Sequence, residues 1–107
     1  SEAGVHVDYD APTTLQVPAV TSLAANRIVT EAVTNAARHQ VNPHVRVTLA
    51  PLDEALEATV PSRGAIAPRT GAGIGLEGLR ERAASTGGTL EVVQQGDTFT
   101  VRAVLGV

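Results

Sequence analysis

Arg27-Ile28-Val29-Thr30-Glu31-Ala32-Val33-Thr34-Asn35-Ala36-Ala37-Arg38-His39 is the stretch from which the fold is read. On a helix advancing by about 100° per residue, with Leu23 at zero, Ile28, Ala32, Ala36 and Val29 fall between roughly 140° and 240°. They form a continuous apolar stripe. Glu31, Asn35, Arg38 and His39 fall between roughly 60° and 160° and line one border of it. A helix with structural duty alone carries interchangeable, solvated charges on such a border. Here a carboxylate, a carboxamide, a guanidinium and an imidazole share one side, at i, i+4, i+7 and i+8. That mixture suits a polyphosphate with a divalent ion: oxygen ligands for the metal, cations for the phosphate oxygens. A merely wet border is the competing reading, and this stretch alone does not separate the two.

Upstream, Val5-His6-Val7-Asp8-Tyr9 alternates apolar and polar, the period of a half-buried strand, with His6 on the solvent side. Asp10-Ala11-Pro12 breaks it, and Leu15-Gln16-Val17-Pro18 leads into the helix. Pro18 suits the first turn and Thr21 or Ser22 the cap. The helix should end near Gln40, because Asn42-Pro43 cannot continue it. His44 reads as a loop residue at the entrance of the next strand. Val45, Val47 and Leu49 alternate with polar residues, Pro51 to Glu54 turn, and Leu56, Ala58 and Val60 repeat the pattern as a hairpin partner.

From Pro61 to Gly75 the alternation vanishes, and Gly64, Gly71, Gly73 and Gly75 gather around Pro68. A long loop of this kind between ordered elements is often functional. Leu76 to Ser85 reads as a second helix, with Leu76, Leu79 and Ala83 inward, and Gly87-Gly88 stop it. Leu90-Glu91-Val92 opens a strand, Gln95-Gly96-Asp97 turns, and Phe99, Val101, Ala103 and Leu105 share one face of the last strand. The order β-α-β-β-α-β-β implies an α+β domain spanning residues 1–107: a mixed sheet with both helices on one face.

Composition narrows the partners. With one Phe, one Tyr and no Trp or Met, the core must be Val, Leu, Ile and Ala. Aromatic stacking on single-stranded nucleic acid is thereby excluded as a main device. Net charge is −3 and no basic run exceeds two residues, which argues against nucleic acid or an anionic membrane as partner. The absence of cysteine removes disulfides, thiol nucleophiles and thiolate metal sites. No apolar run approaches the roughly 20 residues of a membrane span, and no signal peptide opens the chain. Its abrupt start reads as that of a domain belonging to a longer protein.

Gly71-Ala72-Gly73-Ile74-Gly75-Leu76 directly before a helix has a clear physical use. Glycines let the backbone approach a phosphate, and a helix start offers unpaired N–H groups. Together, Glu31 to His39, this loop, and Gly78-Leu79-Arg80-Glu81-Arg82-Ala83 after it resemble the ATP-binding domain of sensor histidine kinases. The first segment looks like that family's N box and the loop like its G2 box, in the subgroup of nitrate and membrane-fluidity sensors. The resemblance runs from about Val5 to Leu105 and implies the Bergerat fold, a two-layer α/β sandwich with a mixed, mostly antiparallel sheet. It implies ATP and Mg²⁺ as cofactors and a kinase's catalytic domain. Carried over, Glu31 orients or activates the acceptor, Asn35 binds magnesium, and Arg38 and His39 approach the phosphates. The backbone of Gly71, Gly73, Gly75 and Leu76 cradles them.

One piece departs from the pattern. The family's G1 box, Asp-x-Gly-x-Gly, aligns with Ser62-Arg63-Gly64-Ala65-Ile66, so only the first glycine is kept. In the family that aspartate accepts a hydrogen bond from the adenine amino group; here Ser62 stands in its place. Losing a charged partner costs on the order of 1.5–3 kcal/mol, roughly tenfold to a hundredfold in affinity. Three explanations stay open: weak ATP binding until partner domains engage, a degenerate domain kept for protein contacts, or a lid between Gly64 and Gly71 that supplies the contact. An anti-sigma-factor-type serine kinase is a further alternative. The resemblance implies a phosphoacceptor histidine on a separate dimerisation domain, and none of His6, His39 and His44 has the acidic helical context of such an acceptor. A response regulator, a homodimeric parent and a cytoplasmic placement, with the parent membrane-anchored or not, follow from the same resemblance.

Overall fold

A computed structural model describes residues 6–10, 17–65, 80–81 and 83–106. The elements are β1 (His6–Asp10), α1 (Ala19–His39), β2 (His44–Leu52), β3 (Ala55–Arg63), β4 (Thr89–Gln95) and β5 (Thr98–Gly106). Residues 80, 81, 83 and 84 are helical and fall inside the second predicted helix. The strands pair in the order β1-β2-β3-β5-β4. β1 runs parallel to β2 and every other pairing is antiparallel. A parallel neighbour demands a crossover connection, and α1 supplies it.

The apolar stripe of α1 does what its spacing implied. Ile28 is fully buried, and Ala24, Ala25, Val29, Ala32 and Ala36 join it against Val45, Val47, Leu56, Ala58, Val60, Val101, Ala103 and Leu105 of the sheet. Small alanines on the contact stripe leave room for the branched side chains of the strands. Ala83 is also fully buried in this core, so the second helical stretch packs on the same face as α1. The opposite face carries His44, Arg46, Glu57, Arg63 and Arg102, at the alternate positions of β2, β3 and β5. The result is a two-layer α+β sandwich: mixed sheet, mostly antiparallel, with helical cover on one side.

Three details differ from the sequence reading. Pro18 is the N-cap residue, not the first helical one, and no side chain caps α1. Thr21 is buried instead, and its Oγ1 donates to the Gly106 carbonyl oxygen at 2.7 Å. A buried hydroxyl must find an acceptor, and here it ties the start of α1 to the end of β5. The third difference lies at Pro61 to Arg63, read as loop, which continue β3 and pair with Thr98 to Thr100 of β5. Alternation missed them because Pro61 and Ser62 are not apolar. The β2–β3 register passes from Val45↔Ser62 to Thr48↔Thr59, leaving a gap opposite Val60 and Pro61. Proline has no N–H to give to a ladder, which accounts for the gap.

Two turns set the register of the hairpins. Gly96 opens the β4–β5 turn with φ +59°, a conformation that glycine reaches without steric cost. Between β2 and β3, Glu54 holds φ +56° despite its side chain. Gly88, just before β4, is fixed by space: a Cβ there would lie 1.9 Å from the Val104 carbonyl oxygen.

Candidate functional site

The last three turns of α1 present the polar border. Glu31, Asn35 and His39 are half-buried and Arg38 is exposed, beside the buried Ala32 and Ala36. Their depth follows from their angle: a residue at the margin of an apolar stripe is partly covered by what the stripe packs on. Arg38 and His39 also occupy the final turn, where unpaired carbonyls favour cations, so a purely structural use exists for those two.

The end of α1 is clamped to the end of β3 by Gln40. Its backbone N–H closes on the Ala36 carbonyl at 3.0 Å. Its buried Nε2 donates to the carbonyl oxygens of Ser62 at 3.0 Å, Gly64 at 3.1 Å and Asp97 at 3.3 Å. The Val41 N–H donates to Ala65 O at 2.8 Å, and the Gly64 N–H to Asp97 O at 3.0 Å. One carboxamide thus joins the helix carrying Asn35 and His39, the strand carrying Ser62, and the β4–β5 turn. Sequence reading used Gln40 only as a helix terminus. A signal was present: at roughly 260° on the same wheel, Gln40 is a polar residue in line with the apolar stripe.

Ser62 is 5% exposed, inside β3, and its Oγ donates to the Phe99 carbonyl at 3.0 Å. Its proton is therefore committed, and what the hydroxyl can still offer a ligand is lone pairs. That matches a neutral acceptor for an amino group. Gly64 has a packing reason of its own, since a Cβ would meet Val41 O at 2.8 Å and the Pro43 Cα at 3.1 Å. The structure therefore sets Ser62 and Gly64 beside the helix end that follows Asn35, Arg38 and His39. Gly71, Gly73, Gly75 and Leu76 lie outside the described residues, as does the relation between Asn35 and Gly73.

The fit to a magnesium nucleotide can be judged on the donor set. Asn35 and Glu31, one turn apart on one side, offer oxygen ligands of the kind magnesium takes, and two cations follow in the next turn. Half-buried, Glu31 and Asn35 keep part of their surface open to solvent, where an ion can reach them. These residues fit the group.

A second cluster escaped sequence reading. His44 is the first residue of β2, not a loop residue, and it pairs in register with His6. Their rings lie 4.4 Å apart, with Asp8 between their tips. Parallel pairing of β1 with β2 is a long-range fact, which the local alternation of each strand does not contain.

No protein-family model and no curated protein matches the chain. Solved structures do match. The histidine kinase domain of a blue-light-activated histidine kinase from Erythrobacter litoralis superposes with a TM-score of 0.77 at 22% identity, covering 96% of this chain and 52% of that one. The catalytic domain of the histidine kinase ThkA, in a nucleotide-free form, gives 0.77 at 14% identity, covering 98% and 80%. The Acinetobacter baumannii histidine kinase AdeS gives 0.74 at 13% identity, covering 98% and 55%. The chain spans about half the length of the Erythrobacter kinase domain. At these identities the likeness is one of fold, and the chain is built as the catalytic domains of histidine kinases are built.

Proposed function

We propose that the chain is the ATP-binding domain of a sensor histidine kinase, with a weakened adenine half of its site. One observation carries this reading. In a histidine-kinase catalytic-domain fold, Glu31, Asn35 and His39 line one border of α1, and Gln40 locks that helix end onto Ser62 and Gly64. The Asn35 carboxamide oxygen would hold magnesium, Arg38 and His39 would neutralise phosphate oxygens, and Glu31 would orient the acceptor or take its proton. Ser62 would accept the adenine amino group through a lone pair, and Gly64 would let the base lie close. The loop glycines Gly71, Gly73 and Gly75 with Leu76 belong to the same proposal on the sequence alone. ATP, when bound, supplies the transferable phosphoryl group; the protein's part is positioning and charge neutralisation.

The receiving histidine lies on a separate dimerisation domain, from which a response regulator is served, and the parent is a homodimer. No described helix is long and apolar enough to cross a membrane. The nitrate- and membrane-fluidity-sensor subgroup is the one proposed. A second reading, a non-catalytic interaction module of the same fold, is favoured by Ser62, a neutral group at the position where the family carries a carboxylate. Nucleotide titration followed by backbone amide NMR separates them. Saturable ATP-magnesium binding in the high-micromolar range, with shifts at Glu31 to Gln40, Ser62 and Gly64, supports the kinase domain. No shift at millimolar nucleotide supports the interaction module.

A further inference from the structure

The open face of the sheet carries a cluster that the nucleotide reading does not use. His6 and Asp8 project from the same side of β1, two residues apart, and His44 stands opposite His6 on β2. The Asp8 carboxylate receives His44 Nε2 at 2.9 Å on Oδ2 and faces His6 Nε2 at 3.5 Å on Oδ1. One ligand atom from each of the three residues falls within 4.8 Å of the others. The strand ladder fixes the three Cβ positions, so only short side chains have to adjust.

We propose that His6, Asp8 and His44 form a binding site for a first-row divalent transition metal, Zn²⁺ foremost. Two imidazoles and a carboxylate are the donor set such ions take, whereas magnesium and calcium prefer oxygen throughout. Tetrahedral zinc with bonds near 2.0–2.1 Å sets neighbouring donor atoms about 3.3 Å apart. The 2.9 and 3.5 Å separations run to different oxygens of one carboxylate and the three donors lie within 4.8 Å of one another, so rotation of the rings has to draw them together to hold the ion.

The three residues are exposed, and Asp8 and His44 also line an open groove of about 460 Å³ shared with Arg46, Pro61, Arg63 and Thr98. Arg46 and Arg63 oppose a bare cation. They also favour an anion or a water in the remaining coordination position, so the site is weaker than a closed four-ligand one. An ion-free use of the trio exists, joining β1 to β2. That use does not require both Nε2 atoms to aim at one carboxylate.

The test is calorimetric titration of the 107-residue protein with ZnCl₂. Co²⁺ serves as a visible-absorbance probe of coordination, and circular dichroism confirms that each variant is folded. Expected is a single saturable equivalent of zinc, undisturbed by excess Mg²⁺. His44→Ala and Asp8→Asn should each lower the affinity at least about tenfold, and His39→Ala should leave it unchanged. Absence of saturable zinc binding overturns the proposal, as does binding that survives His44→Ala or disappears with His39→Ala. His6→Ala gives an independent readout, because loss of the Co²⁺ d–d bands there identifies the second imidazole, and their persistence contradicts it.

Discussion

Gln40 is the residue on which the site's internal geometry turns. Its Nε2 donates to the carbonyls of Ser62, Gly64 and Asp97, three points on two other segments. Truncation removes the donor that these carbonyls share, and Gln40→Ala should lower stability by about 1–3 kcal/mol, read as a shift of the urea midpoint. Ser62 gives a sharper test. Placing a carboxylate at a site 5% exposed, facing the Phe99 carbonyl that now receives the hydroxyl proton, is unfavourable in the free protein. Ser62→Asp should therefore lower the melting temperature, and ATP should recover it more than GTP does. Equal recovery by both nucleotides would mean that this position does not face the base. These residue-scale facts were partly legible. The border of Glu31, Asn35, Arg38 and His39 follows from angles on one helix, whereas the partners of Gln40 and Ser62 lie far along the chain.

At the scale of elements, α1 is held by shape and not by caps. It lacks a side-chain cap, and a fully buried Ile28 with a run of alanines seats it on the sheet. Ile28→Ala should cost about 2–5 kcal/mol in equilibrium unfolding, through lost transfer energy and the cavity left behind. A smaller loss would mean that the helix resettles onto the strands. The hairpins make a separate prediction. Gly96 sits at φ +59° with no neighbour near a would-be Cβ, so Gly96→Val strains the backbone without a clash. It should cost about 1–2 kcal/mol by the same measurement. Element order was readable because each strand and the helix carry their own period. The end of β3 was not, since Pro61 and Ser62 break the apolar rhythm while the flanking strand β5 still holds them in place.

For the whole molecule, the sheet has two sides with different duties. One is closed by α1 and the residue-83 helical segment, and the border proposed for the nucleotide lies at that layer's edge. The other is open and polar, with Arg102 bridging Glu57 and Glu91 in one place and the His6–Asp8–His44 trio in another. Strand order was beyond the sequence, because pairing β3 with β5 joins residues some forty positions apart that carry no local sign of each other. Placing the two proposed sites on opposite sides makes them separable. His44→Ala should leave ATP affinity within about twofold of the wild type, and Asn35→Ala should leave zinc affinity unchanged to the same margin.

The most direct measurement is ATP binding to the wild type and to Asn35→Ala, each followed by amide NMR with and without Mg²⁺. For the wild type, expected is saturable binding that magnesium strengthens, with shifts concentrated at Glu31 to Gln40 and at Ser62 and Gly64. For Asn35→Ala, the magnesium dependence should be gone while the fold persists. Shifts confined to the open face of the sheet, or an unchanged magnesium dependence in the variant, would contradict the assignment of the α1 border as the nucleotide site.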